Sequence, residues 1–466
     1  MADLLAILSQ GASSLGAHRA ASATASHNLE NVNTEGYARQ SVALEAELPV
    51  EQQMNGWIGR GVTVGAVTQA RDRFLEAQIP GALDATARAT AESDTLSSVH
   101  ALDPDLAGGL PVSLGNFYSA MRNLSQNPGS PVLRQGAVDA SRSLAMAFNR
   151  TATALSGARA AVDSQLSGSM SEVNSTAAQM ALLNRQIRQA RAAGGEPNDL
   201  LDARLKLQDK LAELTGAVPV PDGSGDVSMA LPGGTALVSG DRAASLAAVP
   251  DAANGGYVAL EVTRADGSGP YPLSAVGCTL GGLLDARDGA LGAAQAGIDT
   301  LAFDLASTVN AVHQAGYGLD GVAGRPLFDV GGTAAGAAST LAVSAAVIAD
   351  PRLLAAASSA ATVPGDASNL FKLIDTENTA LSGGLDGGAQ TAAVIARFGA
   401  ASSQAQSTRQ SEGAVKSYLL QLRESTSGVS VDEELVNLQK AQRAFEAVSK
   451  VIAASSSMLD TLMQLK

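Results

Sequence analysis

A seven-residue apolar repeat stands at each end of this chain, with everything else between the two, and that arrangement leaves few folds open. Near the C-terminus Leu438, Phe445, Ile452 and Leu459 recur every seven residues, with Leu435, Val448, Val451, Leu462 and Met463 beside them. Near the N-terminus Leu8, Leu15 and Leu29 repeat at seven or twice seven, with Ser22 in the intervening slot. A stripe of this period is the seam of a coiled coil. The spacing therefore predicts two terminal helices that pair with each other while the middle of the chain forms separate, outward domains. The C-terminal helix has a legible start. Ser430 and Glu433 stand in the S-x-x-E relation of a capping box, and Asp432, Glu433 and Glu434 suit the positive end of a helix dipole. From there to Lys466 it would run about 50 Å at 1.5 Å per residue.

The middle divides by pattern. Asn127-Pro128-Gly129-Ser130-Pro131 reads as a turn feeding an N-cap, Ser130, and an N1 proline, after which helical pattern continues to Gly194 and Gly195. Asn198 is expected to cap the next helix and Gly216 to stop it. From Ala217 to Val276 short Val- and Leu-rich runs alternate with Asp222-Gly223, Pro232-Gly233-Gly234, Asn254-Gly255 and Asp266-Gly267, the signature of short strands joined by tight turns. Helical pattern returns from Leu280 to Gln314, fades in a Gly/Ala-rich stretch from Gly316 to Thr362, and resumes at Ala367. The fold class is thus mainly α with a smaller β part: paired terminal coiled-coil helices, a long-helix bundle and a small inserted β domain. The expected division is 1–45 with 428–466 as paired terminal helices, 46–216 with 277–427 as a bundle reached through a β-hairpin, and 217–276 as the β domain.

Composition narrows the function classes. Apolar residues reach 45% while aromatics are 3%, so the core is built from Ala, Leu and Val, which suits close helix packing better than aromatic ligand pockets. A net charge of −14 disfavours nucleic acid and anionic membranes as partners. The start, Met1 to Ala6, lacks the basic and apolar regions of a cleavable secretory signal, and no window approaches a span of ~20 apolar residues. The lone Cys278 makes an internal disulfide impossible and is expected to be a small apolar residue near a strand end. This composition fits a cytoplasmic protein, or one exported unfolded through a narrow channel.

No reaction chemistry emerges. His18, His27, His100 and His313 are far apart and lack zinc-site spacing, and His313 reads as a capped helix end. Gly59-Arg60-Gly61 has no third glycine, and no Walker-type Gly-Lys-Ser/Thr exists. Asp199 with Asp202, and Asp285 with Asp288, place carboxylates at i, i+3, but catalytic carboxylates come from separate elements across a cleft, so these are expected to be solvated helix faces. No catalytic residue, metal site or cofactor is predicted.

The run Ala25-Ser26-His27-Asn28-Leu29-Glu30-Asn31-Val32-Asn33-Thr34-Glu35-Gly36-Tyr37-Ala38-Arg39 resembles the N-terminal signature of bacterial flagellar axial proteins, whose pattern ends in Asn-Thr-x-Gly-Tyr and a basic residue. Physically it is a helix terminus: Asn31 and Asn33 can bond exposed backbone groups, Gly36 permits a tight turn, and Tyr37 anchors the exit. The stretch from Val431 to Ala447 is similar to the terminal helix of the same group. Rod, hook and hook-associated proteins share both signatures. Inner segments are similar to the hook-associated protein 1 family: Gly59 to Leu75, Phe117 to Asn149, Pro197 to Arg204, and Asn310-x-x-His313-x-x-Gly316 followed by Asp320-Gly321. The likeness is weakest from Thr333 to Gly388, and the chain lacks the outer domain some members insert after Val330.

The resemblance implies a structural subunit of the junction ring between hook and filament, exported unfolded by the flagellar type III apparatus and resident outside the cell. The alternatives are another axial subunit, hook or rod, and a secreted flagellum-associated enzyme. Implied partners are further copies in a ring, hook protein on one side and the next hook-associated protein on the other, and an export chaperone on the C-terminal helix; neither nucleic acid nor membrane is among them. The candidate assembly and partner-binding residues are Leu8, Leu15, Leu29, Asn31, Asn33, Gly36, Tyr37, Leu435, Leu438, Phe445, Val448, Ile452 and Leu459.

Overall fold

The computed structural model describes residues 2–464 except 53–55, 104–105, 222–224 and 274. The expected Asp222-Gly223 turn and the last two residues of the C-terminal helix lie outside the described residues. Helix α1 (Ala2–Glu30) leads into a hairpin in which β1 (Gln40–Ala46) pairs antiparallel with β4 (Val62–Gln69), from Gln40 opposite Gln69 to Ala46 opposite Val62. A second short pair, β2 (Val50–Gln52) with β3 (Gly56–Ile58), lies beyond it. The expected division between residues 45 and 46 falls inside the β1–β4 ladder, so this hairpin belongs to one unit.

Four long helices follow: α2 (Arg73–Ser97), α3 (Leu110–Gln126), α4 (Pro131–Ala192) and α5 (Asn198–Thr215). Ser130 caps α4 by accepting from the Leu133 N–H, with Pro131 at the first position, and Gly216 ends α5 in the left-handed conformation at φ 72°. Asn198 departs from expectation. Pro197 occupies the cap position, and the Asn198 amide instead donates to the Val67 carbonyl at 2.9 Å on the hairpin. The chain has placed a donor where the hairpin needs one.

The inserted strands form an antiparallel meander, β5 (Val218–Pro221), β6 (Val227–Ala230), β7 (Ala236–Ser239) and β8 (Arg242–Ala243), and a three-stranded sheet of β9 (Ser245–Pro250), β10 (Val258–Thr263) and β11 (Tyr271–Pro272) in the order β11-β10-β9. Val258, Leu260 and Val262 alternate inward. They meet Val162, Leu166, Val173 and Met180 of α4 and Leu211 of α5, so the β part draws its core from the second half of α4.

Helix α6 (Cys278–Leu284) continues through one π-helical turn, Asp285–Ala290, into α7 (Leu291–Ala315). Cys278 stands at the start of α6 and not at a strand end, with φ 55°. Its N–H donates to Asp84 Oδ1 at 2.6 Å and its thiol to the Ala212 carbonyl, and burial pushes the thiol pKa up, with Asp84 adding to the shift. It is a packed, protonated thiol, as its apolar reading expected.

The first half of α4 packs with α3, α7 and the elements after it in a separate core around Phe117, Met121, Leu144, Phe148, Ile298 and Leu305. Those elements are β12 (Phe328–Asp329), α8 (Ala337–Thr340), β13 (Ala342–Val343), α9 (Ala345–Ala349), α10 (Ser368–Asp375) and α11 (Gly387–Ser427). The weakly patterned stretch is irregular yet tied down, because side chains of neighbouring helices satisfy its backbone. Asn310 accepts from the Leu327 and Phe328 N–H groups at 2.9 Å each, and Asp299 from Gly336 and Ala338. His313 donates Nδ1–H to the Arg325 carbonyl and accepts the Ala355 N–H at Nε2, which fixes its tautomer. Arg134, 1% exposed, donates to the carbonyls of Pro128 and Leu354 at 2.7 Å each, and burial lowers its pKa to about 10. The final helix, α12 (Val431–Gln464), returns to α1.

Candidate assembly interface

Helices α1 and α12 run antiparallel. Gly11 faces Ile452 at one end of the pair and Asn28 faces Glu434 at the other. On α12 the inward positions are Glu434, Leu438, Ala441, Phe445, Val448, Ile452, Ser455 and Leu459, a strict four-three alternation. The apolar repeat supplied every other one of these. Glu434, Ala441 and Ser455 are the fully buried ones and were missed because none is a large apolar residue. Leu435, expected on the seam, is 44% exposed, and Val451, Leu462 and Met463 also face outward. On α1 the buried residues are Gly11, Ala17, Ala25 and Asn28, while Leu8, Leu15 and Leu29 are half-buried. The contact is therefore built on small residues. A Cβ on Gly11 would stand 2.7 Å from Ile452 Cγ1, so the close approach requires glycine there.

At the body end of this pair sits a polar knot centred on Asn28, which is 0% exposed. Its amide donates to the Gln40 carbonyl at 2.8 Å and to Glu434 Oε2 at 3.1 Å, and its Oδ1 accepts from the Tyr37 hydroxyl at 2.8 Å and the Gln40 N–H at 2.9 Å. Every hydrogen-bonding position of that side chain but none of its stem is thereby used, which is what burial of an amide demands. Glu434, 2% exposed, takes Arg39 Nε at 2.7 Å, and Arg39 Nη1 lies 2.9 Å from Glu433. Glu433 thus spends its carboxylate on Arg39. Of the expected capping box only the Ser430 half forms, with Ser430 Oγ accepting the Glu433 N–H at 3.5 Å. Burial and the Asp199, Asp202 and Glu434 carboxylates push the Tyr37 hydroxyl pKa up, so it remains a donor.

The other predicted motif residues serve the helix end. Asn31 donates to the His27 carbonyl at 3.0 Å and accepts from Thr34. Gly36 takes φ 72°, with Lys206 3.1 Å from where a Cβ would stand. Asn33 is exposed.

The knot is fastened to the body through the first turn of α5. Asp199 accepts from Gln40 Nε2 at 3.0 Å and pairs with His27 at 3.1 Å. Asp202 accepts from Gln69 Nε2 at 2.7 Å and from the Ala38 N–H at 3.3 Å, and pairs with Arg71. Asp202 is buried, so the expectation of a solvated carboxylate face fails at this position: its charge is matched by Arg71. Arg71 also reaches Glu76, which with Asp209 flanks Arg423 of α11; Asp209 lies 2.8 Å from Arg423. Burial raises the pKa of both Glu76 and Asp209. Likewise Asp285 pairs with Arg88, and Asp288 with Arg287 at 2.7 Å. Both i, i+3 pairs thus act as structural ion partners.

Among the described residues no group of three or more His, Cys, Asp or Glu could hold a metal ion, and no helix is long and apolar enough to cross a membrane.

Comparison with known proteins agrees with this architecture. The family described as Flagellar hook-associated protein FlgK helical domain matches residues 96–328, and Flagellar basal body rod FlgEFG protein C-terminal matches residues 421–465. Flagellar hook-associated protein 1 of Salmonella typhimurium is 33% identical over 330 residues, covering 70% of this chain and 59% of that protein. The chain therefore spans less than two thirds of that relative's length. The protein of the same name from Bacillus subtilis is 26% identical over 495 residues, covering 96% of each. The structure of the flagellar hook junction protein FlgK from Burkholderia pseudomallei superposes with a TM-score of 0.68 at 18% identity, covering 76% of this chain and all of that one, which is a likeness of fold.

Proposed function

This chain belongs to the flagellar hook-associated protein family defined by the FlgK helical domain, and from that premise we propose that it is a structural subunit of the junction between hook and filament. In this reading it is not an enzyme. It is exported unfolded by the flagellar type III apparatus, and outside the cell it joins further copies of itself in a ring, with hook protein on one side and the next hook-associated protein on the other. The observation that carries the reading is the thin α1–α12 pair. Its fully buried positions are Gly, Ala, Ser, Asn and Glu, and its larger apolar residues, Leu438, Phe445, Val448, Ile452 and Leu459 among them, are only half-buried, so the pair alone buries little apolar surface and gains from neighbours packed against it.

The division into terminal assembly core, bundle and β part is proposed with this function, and Leu8, Leu15, Leu29, Asn31, Gly36, Tyr37, Leu438, Phe445, Val448, Ile452 and Leu459 support the core. Leu435 and Asn33, both exposed, are free to meet a partner directly. The export chaperone is assigned to α12. Since Leu438, Phe445, Val448, Ile452 and Leu459 are partly covered by α1, a chaperone that lays this face in its groove must take the place of α1. Chaperone binding and terminal pairing then exclude each other. Immunogold labelling of intact flagella with antibody to this chain tests the placement: a label confined to the hook–filament boundary is expected, and a label along the hook, in the rod or absent from the flagellum would overturn it.

A further inference from the structure

Helix α4 passes from one core to the other between Leu155 and Val162, and the helix through α6 and α7 does so between Leu283 and Ala286. A charged cluster joins the two helices at that level. Arg287, 2% exposed, pairs with Asp163 at 2.6 Å and Asp288 at 2.7 Å and donates to the Val258 carbonyl at 2.8 Å. Asn254 enters the cluster from the β part. Its Nδ2 donates to Asp288 Oδ1 at 3.0 Å, and Arg159, whose guanidinium lies 4.2 Å over the Tyr257 ring, reaches its Oδ1 at 3.5 Å.

Asn254 is followed by glycine. It ends a short 3-10 turn, Ala252–Asn254, and Gly255 takes φ 64°. The N–H groups of Asn254 and Gly256 close the turn on the Asp251 carbonyl, and that of Tyr257 bonds the Asn254 carbonyl; the Gly255 N–H enters none of these bonds. A Cβ on Gly255 or Gly256 would meet nothing within 4 Å, so the Gly255 nitrogen is open to water and unshielded by any side chain of its own. We propose that Asn254 is a site of spontaneous covalent modification, its side-chain amide becoming a carboxylate through attack by the Gly255 backbone nitrogen. That nitrogen gives its proton to solvent and bonds Asn254 Cγ. The Cγ–Nδ2 bond then breaks, Nδ2 takes a proton from solvent and leaves as ammonia, and a cyclic imide remains. Water opens the imide at either carbonyl, giving aspartate or its β-linked isomer. Nucleophile and electrophile are carried by adjacent residues, so their encounter is intramolecular. Arg159 places positive charge beside Oδ1, where negative charge collects during the addition. The product sets a second carboxylate against Asp288 where a donor stood, and the turn loses its bond to the π-helical turn.

Ageing of the purified full chain at mildly alkaline pH tests this, with peptide mapping by mass spectrometry and isoaspartyl methyltransferase labelling of the β-linked product. The Asn254 peptide should convert, with ammonia released in step. Asn184 and Asn310, whose amides are held by backbone carbonyls and which precede Arg185 and Ala311, should stay intact. A sample unfolded in guanidinium chloride gives the rate set by the Asn-Gly pair alone. An Asn254 that keeps its amide in the folded chain after the unfolded sample has converted, or earlier conversion of Asn184 or Asn310, would overturn the proposal. Asn254→Asp reports the consequence: hydrogen exchange at Gly256 and Tyr257, both bonded within the turn, should quicken, and unchanged exchange would overturn the loosening. Both measurements are made on the isolated chain, so their outcome leaves the subunit reading untouched.

Discussion

Asn28→Ala is the sharpest perturbation of the terminal pair, because one truncation strips partners from several buried groups at once. The Gln40 N–H and C=O and the Tyr37 hydroxyl would each lose a hydrogen bond, while Glu434 would keep Arg39 but lose its amide donor. An unsatisfied buried polar group costs about 1–3 kcal/mol. Three such groups amount to about 3–9 kcal/mol, and water entering the space left by the amide brings the expected loss to the lower end. A loss of about 3 kcal/mol accelerates hydrogen exchange roughly a hundredfold for amides protected only by docking of α12. The assay is exchange of the full chain followed at Leu438 to Ala444, with the first core around Phe117 as the internal reference. Core amides should be unaffected. Asn28→Asp is the companion variant: it keeps an acceptor for Tyr37 and for the Gln40 N–H, but sets a second carboxylate against Glu434 where 3.1 Å now separates a donor from an acceptor. It should open the pair at least as much. If Asn28→Ala changes exchange by less than twofold, or if Asn28→Asp is tolerated, the knot does not hold the helices together and the reasoning fails.

Three further outcomes are expected. Replacing Leu438 and Ile452 together by Asp should remove about 1.5–3 kcal/mol of half-buried apolar contact and place two charges in the seam, so cells making this variant should lack normally terminated filaments while the purified body retains its circular dichroism; filaments of normal number and length would contradict it. Burial holds the His313 pKa below its ordinary 6.5, and its Nε2 accepts an N–H. The folded state therefore binds less proton than the unfolded one, and stability should fall as pH drops below about 6.5, by up to ~1.4 kcal/mol per unit until the folded-state pKa is reached. The difference in urea midpoint between pH 7.5 and 5.5 should shrink in His313→Gln, and an unchanged difference would refute the assignment. A chain ending at Gly428 should lose affinity for the export chaperone in a calorimetric titration; binding as tight as that of the full chain would move the chaperone site elsewhere.

How legible the molecule was depended on whether a position's role is set locally. The ends of α4 were readable because Ser130, Pro131 and the glycines after Ala192 act on the backbone within a turn of themselves. The α12 seam was half readable: large apolar residues every seven positions were visible, while Ala441, Ser455 and Glu434 are interior only because α1 approaches closely and because Arg39 and Asn28 neutralise and bond the carboxylate. A glutamate four residues before Leu438, in register with the heptad, was the available signal, and its preference for an exposed face argued the other way. Asn28 lies inside the Ala25–Arg39 motif, but Asn31 and Asn33 sit nearer the turn, where local capping rules direct attention. Asp202 reads as solvated from the sequence because its partner, Arg71, is 131 residues away. The stretch after Gly316 has no period, since its order comes from Asn310, Asp299, His313 and Arg134 reaching in from other elements.

Helix α4, 62 residues long, passes without interruption through both cores. Mechanically this makes the body a single lever about 90 Å long at 1.5 Å per residue. Neither core can pivot against the other without bending the helix they share. A helix continuous through both cores couples their motions to the base, where Asp199, Asp202 and Arg71 grip the hairpin and the terminal pair. Compliance belongs in that grip: polar contacts can be exchanged for water one at a time and remade, whereas close-packed interiors yield all at once or not at all. A chain built this way would flex at its ankle and stay rigid along its limb.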